Sequence, residues 1–183
     1  MLEKVKEFVN NAFDNKGTAH FERTVYWVKK LKPKASEALL IAAYTHDIER
    51  AFRKNEIHPL HKESDLGFLN SEFLKEHQEK GAKIISEFLR KNNASEELIS
   101  KVKILVLNHE LGGSEEQNLL KDCDSISFFE TNAGKFSSEK ALQVGKQKVK
   151  AKFDWMFNRI SSKKAREIAK PLFEKALVDL EKA

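Results

Sequence analysis

Leu98-Ile99-Ser100-Lys101-Val102-Lys103-Ile104-Leu105-Val106-Leu107-Asn108-His109 is the stretch on which the fold turns, because residues 104–107 would read as a β-strand by propensity alone. The flanking pattern decides against that. Leu98, Val102, Leu105, Val106 and His109 recur at helical spacing, the Asn93-x-x-Glu96 pattern offers a capping box ahead of them, and Gly112-Gly113 stops the run. A helix here leaves the chain with almost no strand-like alternation anywhere.

Working outward, the same period recurs in both directions. Upstream, Phe73, His77, Ile84 and Phe88 fall close to one stripe after Ser71, with Gly81 among them. A helix starting near Ser36 after Pro33 carries Leu39, Leu40, Ala43 and His46; another runs from Thr18 as N-cap to Leu31; the first carries Leu2, Val5, Phe8, Val9, Ala12 and Phe13. Between residues 50 and 70 the period lapses, and His58-Pro59, His61 and Gly67 mark a long loop broken by short helical turns, of the kind that often forms a functional lid. Downstream, Ser114-Glu115-Glu116-Gln117 is a second capping box, opening a helix with Leu119, Leu120, Cys123, Asp124, Ile126 and Phe128. Beyond Gly134 two more helices are expected, one through Val149, Phe153, Met156, Phe157 and Ile160, the other through Ala165, Ile168, Ala169, Leu172, Phe173, Ala176 and Leu177. Pro171 is expected to kink or split the last. The fold class is all-α.

With 183 residues, 40% of them hydrophobic, and no repeat, low-complexity tract or linker, the chain is expected to form a single domain over 1–183. Its single cysteine excludes an internal disulfide, no Cys-x-x-Cys pair suggests thiolate-bound zinc, and a reducing, cytoplasmic setting follows. Acidic residues interrupt the opening Met1-Leu2-Glu3-Lys4-Val5-Lys6-Glu7, and no run approaches the ~20 apolar residues of a membrane span, so neither secretion nor membrane insertion is expected. The net charge of +5 conceals an asymmetry: residues 135–183 hold 13 Lys and Arg against 6 Asp and Glu. That basic segment reads as a solvated helix face. Attraction of an anionic substrate and contact with nucleic acid are the alternatives.

The chemistry lies in the histidines. Four of the six, His20, His46, His77 and His109, fall on or beside apolar stripes of separate helices. An inward imidazole carries two polar nitrogens, and leaving such a group unpaired costs about 1–3 kcal/mol. A core histidine bonded to a backbone carbonyl explains any one of them, but must be invoked four times. With Asp47 beside His46, and Asp124 on the face of Leu120 and Phe128, the core gains two carboxylates. A metal satisfies the whole set together. Six ligands exceed what one tetrahedral ion takes, which points to two divalent cations, with Asp47 as the natural bridge. Imidazoles and carboxylates suit Fe, Mn, Zn, Co or Ni.

The order His20, His46-Asp47, His77, His109, Asp124 resembles the HD-domain superfamily of metal-dependent phosphohydrolases. His20-Phe21-Glu22-Arg23-Thr24-Val25 is similar to that family's first-histidine helix, Ala42-Ala43-Tyr44-Thr45-His46-Asp47-Ile48 to its apolar lead into His-Asp, and Leu119-Leu120-Lys121-Asp122-Cys123-Asp124-Ser125-Ile126 to its closing segment. This favours Asp124 over Asp122 as ligand. The resemblance covers about residues 15–130 by motif, with the basic helices of 135–183 more loosely similar to those of small standalone HD hydrolases. It implies an HD-type helical bundle with additional C-terminal helices. Through His77 and His109 it implies a dinuclear centre: His20, His46, Asp47 and Asp124 on one ion, His77, His109 and bridging Asp47 on the other. No Gly-Tyr-Pro follows His109, which disfavours the cyclic-dinucleotide phosphodiesterase branch, while His77-x-x-x-Gly81 partly echoes the family's glycine after the third histidine.

The function so implied is hydrolysis of a small phosphorylated, nucleotide-like metabolite by metal-activated water, with His46 and Asp47 at the catalytic heart. Arg23 and Lys80, each one helical turn from a ligand, are candidate substrate-binding cations. Solvated surface roles compete for both. His58 and His61 read as solvated loop residues with substrate capping as the alternative, Cys123 as an inert buried thiol, and Trp27 and Trp155 as core. Two rivals remain. A di-iron oxygenase would use the same ligand types, and a non-enzymatic module would bind anions or nucleic acid through 135–183. The latter lacks aromatic-basic interleaving and leaves the histidines unexplained. Substrate identity and oligomeric state have no readable code in the pattern.

Overall fold

Ser36, Asn70, Ser95, Ser114 and Ser162 each accept a hydrogen bond from the backbone N–H three residues on, and each opens a helix. In the computed structural model, which describes residues 1–53 and 70–183, the elements run α1 (Leu2–Ala12), α2 (Ala19–Leu31), α3 (Glu37–Thr45), α4 (Glu49–Phe52), α5 (Ser71–Lys91), α6 (Glu96–Val106) and α7 (Glu115–Thr131). A short α8 (Ala133–Lys135), a π-helical turn (Phe136–Lys140) and α9 (Ala141–Val144) lead to α10 (Lys146–Asn158) and α11 (Lys163–Lys182). No strand occurs among the described residues. The run 104–107 is the end of α6 and the turn after it. The expected loop of 50–70, with His58 and His61, lies mostly outside the described residues.

Two expectations about boundaries are corrected. Asn93 does not cap α6; its φ of 58° is left-handed, and it closes α5 instead, with Asn93 N–H on the Arg90 carbonyl and Ala94 N–H on that of Leu89. That pair of bonds is the Schellman pattern, and asparagine tolerates its left-handed position. The cap belongs to Ser95, which accepts from Leu98 N–H. Pro171, in turn, does not split α11, which is continuous through it. Pro171 and Glu167, four residues earlier, are both exposed, so the carbonyl deprived of its partner lies on the watered side. The second capping box is present in full: Ser114 Oγ accepts from Gln117 N–H and Gln117 Oε1 from Ser114 N–H.

Two helices have almost no solvent-facing side. In α3 all residues but Glu37 and Leu40 are buried, and in α7 residues 121–129 are buried without interruption. α3 packs with α1, α2 and α6, while α7 packs with α2 and α11. One core, built on Val5, Val9, Val28, Leu39, Ile41, Ile85, Leu89, Val102 and Leu120, joins α1 to α7. A second, of Phe128, Phe129, Val149, Phe153, Met156 and Leu180, and a third, of Ile126, Ile160, Ala165 and Ala169, seat α10 and α11 on the other side of α7. The basic segment is therefore a packed layer of a single all-helical domain. Most of its lysines face solvent as expected; Lys152 and Arg159 are buried. No described helix is long and apolar enough to cross a membrane.

Candidate metal centre

Two of the histidines sit just past helix ends, each followed by an acid. His46 caps α3 and precedes Asp47; His109 lies in the turn after α6 and precedes Glu110. In both, ring Nδ1 meets the carbonyl three residues back, Ala43 O at 3.1 Å and Val106 O at 2.8 Å. A helix end leaves carbonyls without intrahelical partners. An imidazole placed there takes one up through Nδ1–H and turns Nε2 inward. The other two histidines are held similarly by side chains. His77 Nδ1, from the second turn of α5, meets Glu49 Oε2 at 2.7 Å. Ser127 of α7 donates to the His20 carbonyl (2.7 Å), which leaves its Oγ to accept from His20 Nδ1 at 2.9 Å.

The four Nε2 atoms converge with the carboxylates. His20 Nε2 is 3.2 Å from His46 Nε2 and 3.0 Å from Asp124 Oδ1, which is 3.4 Å from His46 Nε2. Asp47 stands between this group and the next: Oδ2 is 3.8 Å from His46 Nε2, while Oδ1 is 3.0 Å from His77 Nε2 and 3.9 Å from His109 Nε2. Glu110 Oε1 adds a fourth ligand atom, 3.7 Å from His109 Nε2. Two buried clusters that could hold a metal ion result, His20/His46/Asp124 and Asp47/His77/His109/Glu110. The six residues expected as ligands are brought together, with Asp47 facing both halves.

Cationic side chains hold the carboxylates ionised out of water. Burial alone would push the Asp47 carboxyl up, but Arg50 (Nη1 to Oδ2, 3.0 Å), His46 and His77 keep it well below its ordinary value. Burial likewise opposes ionisation of Asp124 and Glu110, and the Arg159 guanidinium, bonded to both, outweighs it. Glu49, against burial, is lowered to about 2 by His77 and Arg53. His77 is raised to about 9, its burial overcome by Asp47 and Glu49, whereas His109, with burial unopposed by any hydrogen-bonded acid, falls to about 4. Burial also lowers Lys152 to about 8.

A cation fits this arrangement because of His109. Its Nδ1–H is committed to Val106, so Nε2 is a lone pair, fully buried and without a hydrogen-bond partner, aimed among Asp47, Glu110 and the other imidazoles. Such an atom is costly in a dry core and is what a metal ligand requires. The Nδ1 partners are the outer contacts that metal-bound imidazoles ordinarily make.

Other candidates are placed elsewhere. Arg23 forks onto Glu130 (both bonds 2.8 Å), which also accepts from Trp27 Nε1, and its guanidinium lies over the Tyr26 ring. Lys80 pairs with Glu76 along the exposed face of α5. Asp122 accepts from the backbone N–H groups of Ser161 and Ser162, between α10 and α11, leaving Asp124 as the acid of α7 at the centre. Cys123 is a buried free thiol, pushed up by burial. Glu110 and Arg159 were not anticipated. The adjacency of Glu110 to His109, repeating His46-Asp47, was a usable signal; Arg159, among thirteen cations of the basic segment, gave none.

The sequence family described as "Domain of unknown function (DUF4202)" matches residues 4–178 of the chain. No curated protein and no solved structure matches it.

Proposed function

The chain belongs to the DUF4202 family, whose description assigns no activity, and we propose from the chemistry of its centre that it is a metal-dependent phosphohydrolase acting on a small phosphorylated metabolite. The observation that carries the reading is the convergence of four Nε2 atoms, one of them unpartnered, on Asp47, Glu110 and Asp124 in two adjoining buried clusters. His20, His46 and Asp124 would hold one cation, His77, His109 and Glu110 another, with Asp47 between them. When bound, divalent cations supply Lewis acidity, activation of water and, since Asp47, Glu49, Glu110 and Asp124 already face Arg50, Arg53, Lys152 and Arg159, an excess of positive charge suited to an anionic phosphoryl group.

The protein's own groups do the rest. The Nδ1 contacts fix each imidazole's tautomer and aim, so little reorganisation is needed when a ligand arrives. The half-exposed Arg50, held against Asp47, is the cation of the set positioned to meet a phosphoryl oxygen entering from solvent. Burial of the remaining groups keeps the dielectric low and the electrostatic terms strong. The sequence resemblance to HD hydrolases over about residues 15–130 supports the same reaction class.

The test is metal analysis of freshly purified protein joined to phosphate release from a mixed panel of phosphorylated metabolites, with Asp47→Ala and His46→Ala beside the wild type. Metal and activity are expected in the wild type and lost in both variants. Full metal content and activity in both would remove the idea. The panel is run with and without dioxygen: turnover under nitrogen supports hydrolysis, whereas a strict need for iron and dioxygen would reassign the centre to oxidative chemistry.

A further inference from the structure

The guanidinium of Arg159, at the C-terminal end of α10, is buried between the two donor clusters and touches an acid of each. Its Nη2 bonds Asp124 Oδ2 and its Nη1 bonds Glu110 Oε2, while Nε donates to Ser125 Oγ at 2.9 Å and the guanidinium carbon lies 4.6 Å from the centre of the Trp155 ring. Each carboxylate is thereby divided. One oxygen is held by the arginine, and the other faces histidine: Asp124 Oδ1 towards His20 and His46, Glu110 Oε1 towards His109.

We propose that Arg159 is a positioning residue that sets the ligand oxygens of both clusters with one rigid group, so that the two halves of the centre bind cations as a unit. The inference rests on the metal-centre reading above. A planar fork with fixed donor directions can hold two carboxylates at a set separation; a lysine ammonium, a point charge on a flexible stem, cannot. Ser125 and Trp155 fix the fork in turn. Glu110 and Asp124 come from separate segments, the turn after α6 and the body of α7, and the one guanidinium is bonded to both. The C-terminal layer thus supplies a part of the centre that the motif-bearing segment of 15–130 lacks.

Cobalt(II) is the probe, because its visible absorption reports the ligand set directly. Stepwise affinity and spectrum are measured for wild type, Arg159→Lys and Ser125→Ala, with far-ultraviolet circular dichroism and the metal-free melting temperature recorded for each. Arg159→Lys keeps the charge and loses the fork; both cobalt dissociation constants are expected to rise roughly 10–100-fold, with an altered spectrum. Ser125→Ala removes one anchor of the guanidinium without adding or removing charge, and a rise of a few fold at both sites is expected. A purely structural arginine would lower the melting temperature and leave the cobalt affinity and spectrum of folded protein unchanged, which would overturn the proposal. Weakening at only one of the two sites would also overturn it. If Arg159→Lys does not fold, wild-type behaviour of folded Ser125→Ala decides against it. Failure of the wild type itself to take up cobalt would instead remove the metal-centre reading.

Discussion

His77 and His109 lie in one centre with their rings 5.3 Å apart, yet their acidities are driven in opposite directions. The folded His77 holds its proton to about pH 9 and the unfolded chain only to about 6.5, so its contribution is complete below 6.5 and is lost as pH rises through 9. The folded His109 refuses a proton until about pH 4 while the unfolded chain takes one up near 6.5, so stability is lost as pH falls from 6.5 through 4. Glu49, ionised down to about 2, extends the acid loss below 4.5. In a chelator, the melting temperature should therefore peak near pH 6.5 and fall on both sides, by up to about 1.4 kcal/mol or roughly 3–6 °C per pH unit for each group in its window. Saturating cobalt(II) should erase the alkaline limb, since ligation requires His77 to give up the Nε2 proton. A flat profile in chelator, or an alkaline limb unchanged by metal, would contradict the assignment. For Asp47→Asn, cation affinity should drop at least about 100-fold, because the residue touches both clusters; titration calorimetry reads it. At this scale the sequence was informative wherever a polar residue interrupted an apolar stripe, which is why the four histidines, Asp47 and Asp124 were legible. Arg159 was not, because an arginine in a basic amphipathic helix looks the same whether its head ends in water or among acids.

The helices were legible from spacing, and their ends from caps only when one candidate stood alone. Ser114 and Gln117 had no competitor; at α6 the cap falls on Ser95, two residues past the expected Asn93, whose left-handed backbone no pattern of side chains records. Replacing Ser114 with Ala should cost about 1 kcal/mol, visible as a lower urea midpoint at unchanged slope. Proline was overrated as a breaker because its cost depends on which side of the helix the freed carbonyl faces. With that side in water, Pro171→Ala should restore one helical bond and stabilise by about 1–3 kcal/mol, without effect on metal content. Gly81 shows the converse. A Cβ there would stand 3.5 Å from the His46 carbonyl and 3.8 Å from Glu49 Cβ, ordinary contact for alanine and none to spare for more. Gly81→Ala should keep metal binding, whereas Gly81→Leu should push the end of α3 from α5 and lose it, as metal analysis of the two purified variants would show.

At the level of the molecule, a sequence reading that separated a motif-bearing core from a basic appendage missed how much the two share. α7 carries Leu120 into the first core, Ile126 into the third and Phe128 and Phe129 into the second, so the C-terminal layer and the centre are built on the two sides of one helix. Long-range packing of this kind is invisible to periodicity, which reports that a face is apolar and not what covers it. Phe153, fully buried against Phe128 and Phe129, should cost about 3–5 kcal/mol when cut to Ala and should weaken metal binding although it lies in the other layer; a wild-type cobalt affinity in a destabilised Phe153→Ala would show the layers to be independent. The unbroken burial of residues 121–129 has a further consequence. A helix turns about 100° per residue, so one amino acid inserted ahead of Asp122 would rotate every side chain after it. Asp122 would leave the start of α11, Asp124 the imidazoles, and Ser127 the ring of His20 all at once, with no solvent-facing arc to absorb the change. The helix acts as an indexing rod, whose register is as much a part of the centre as the residues it carries.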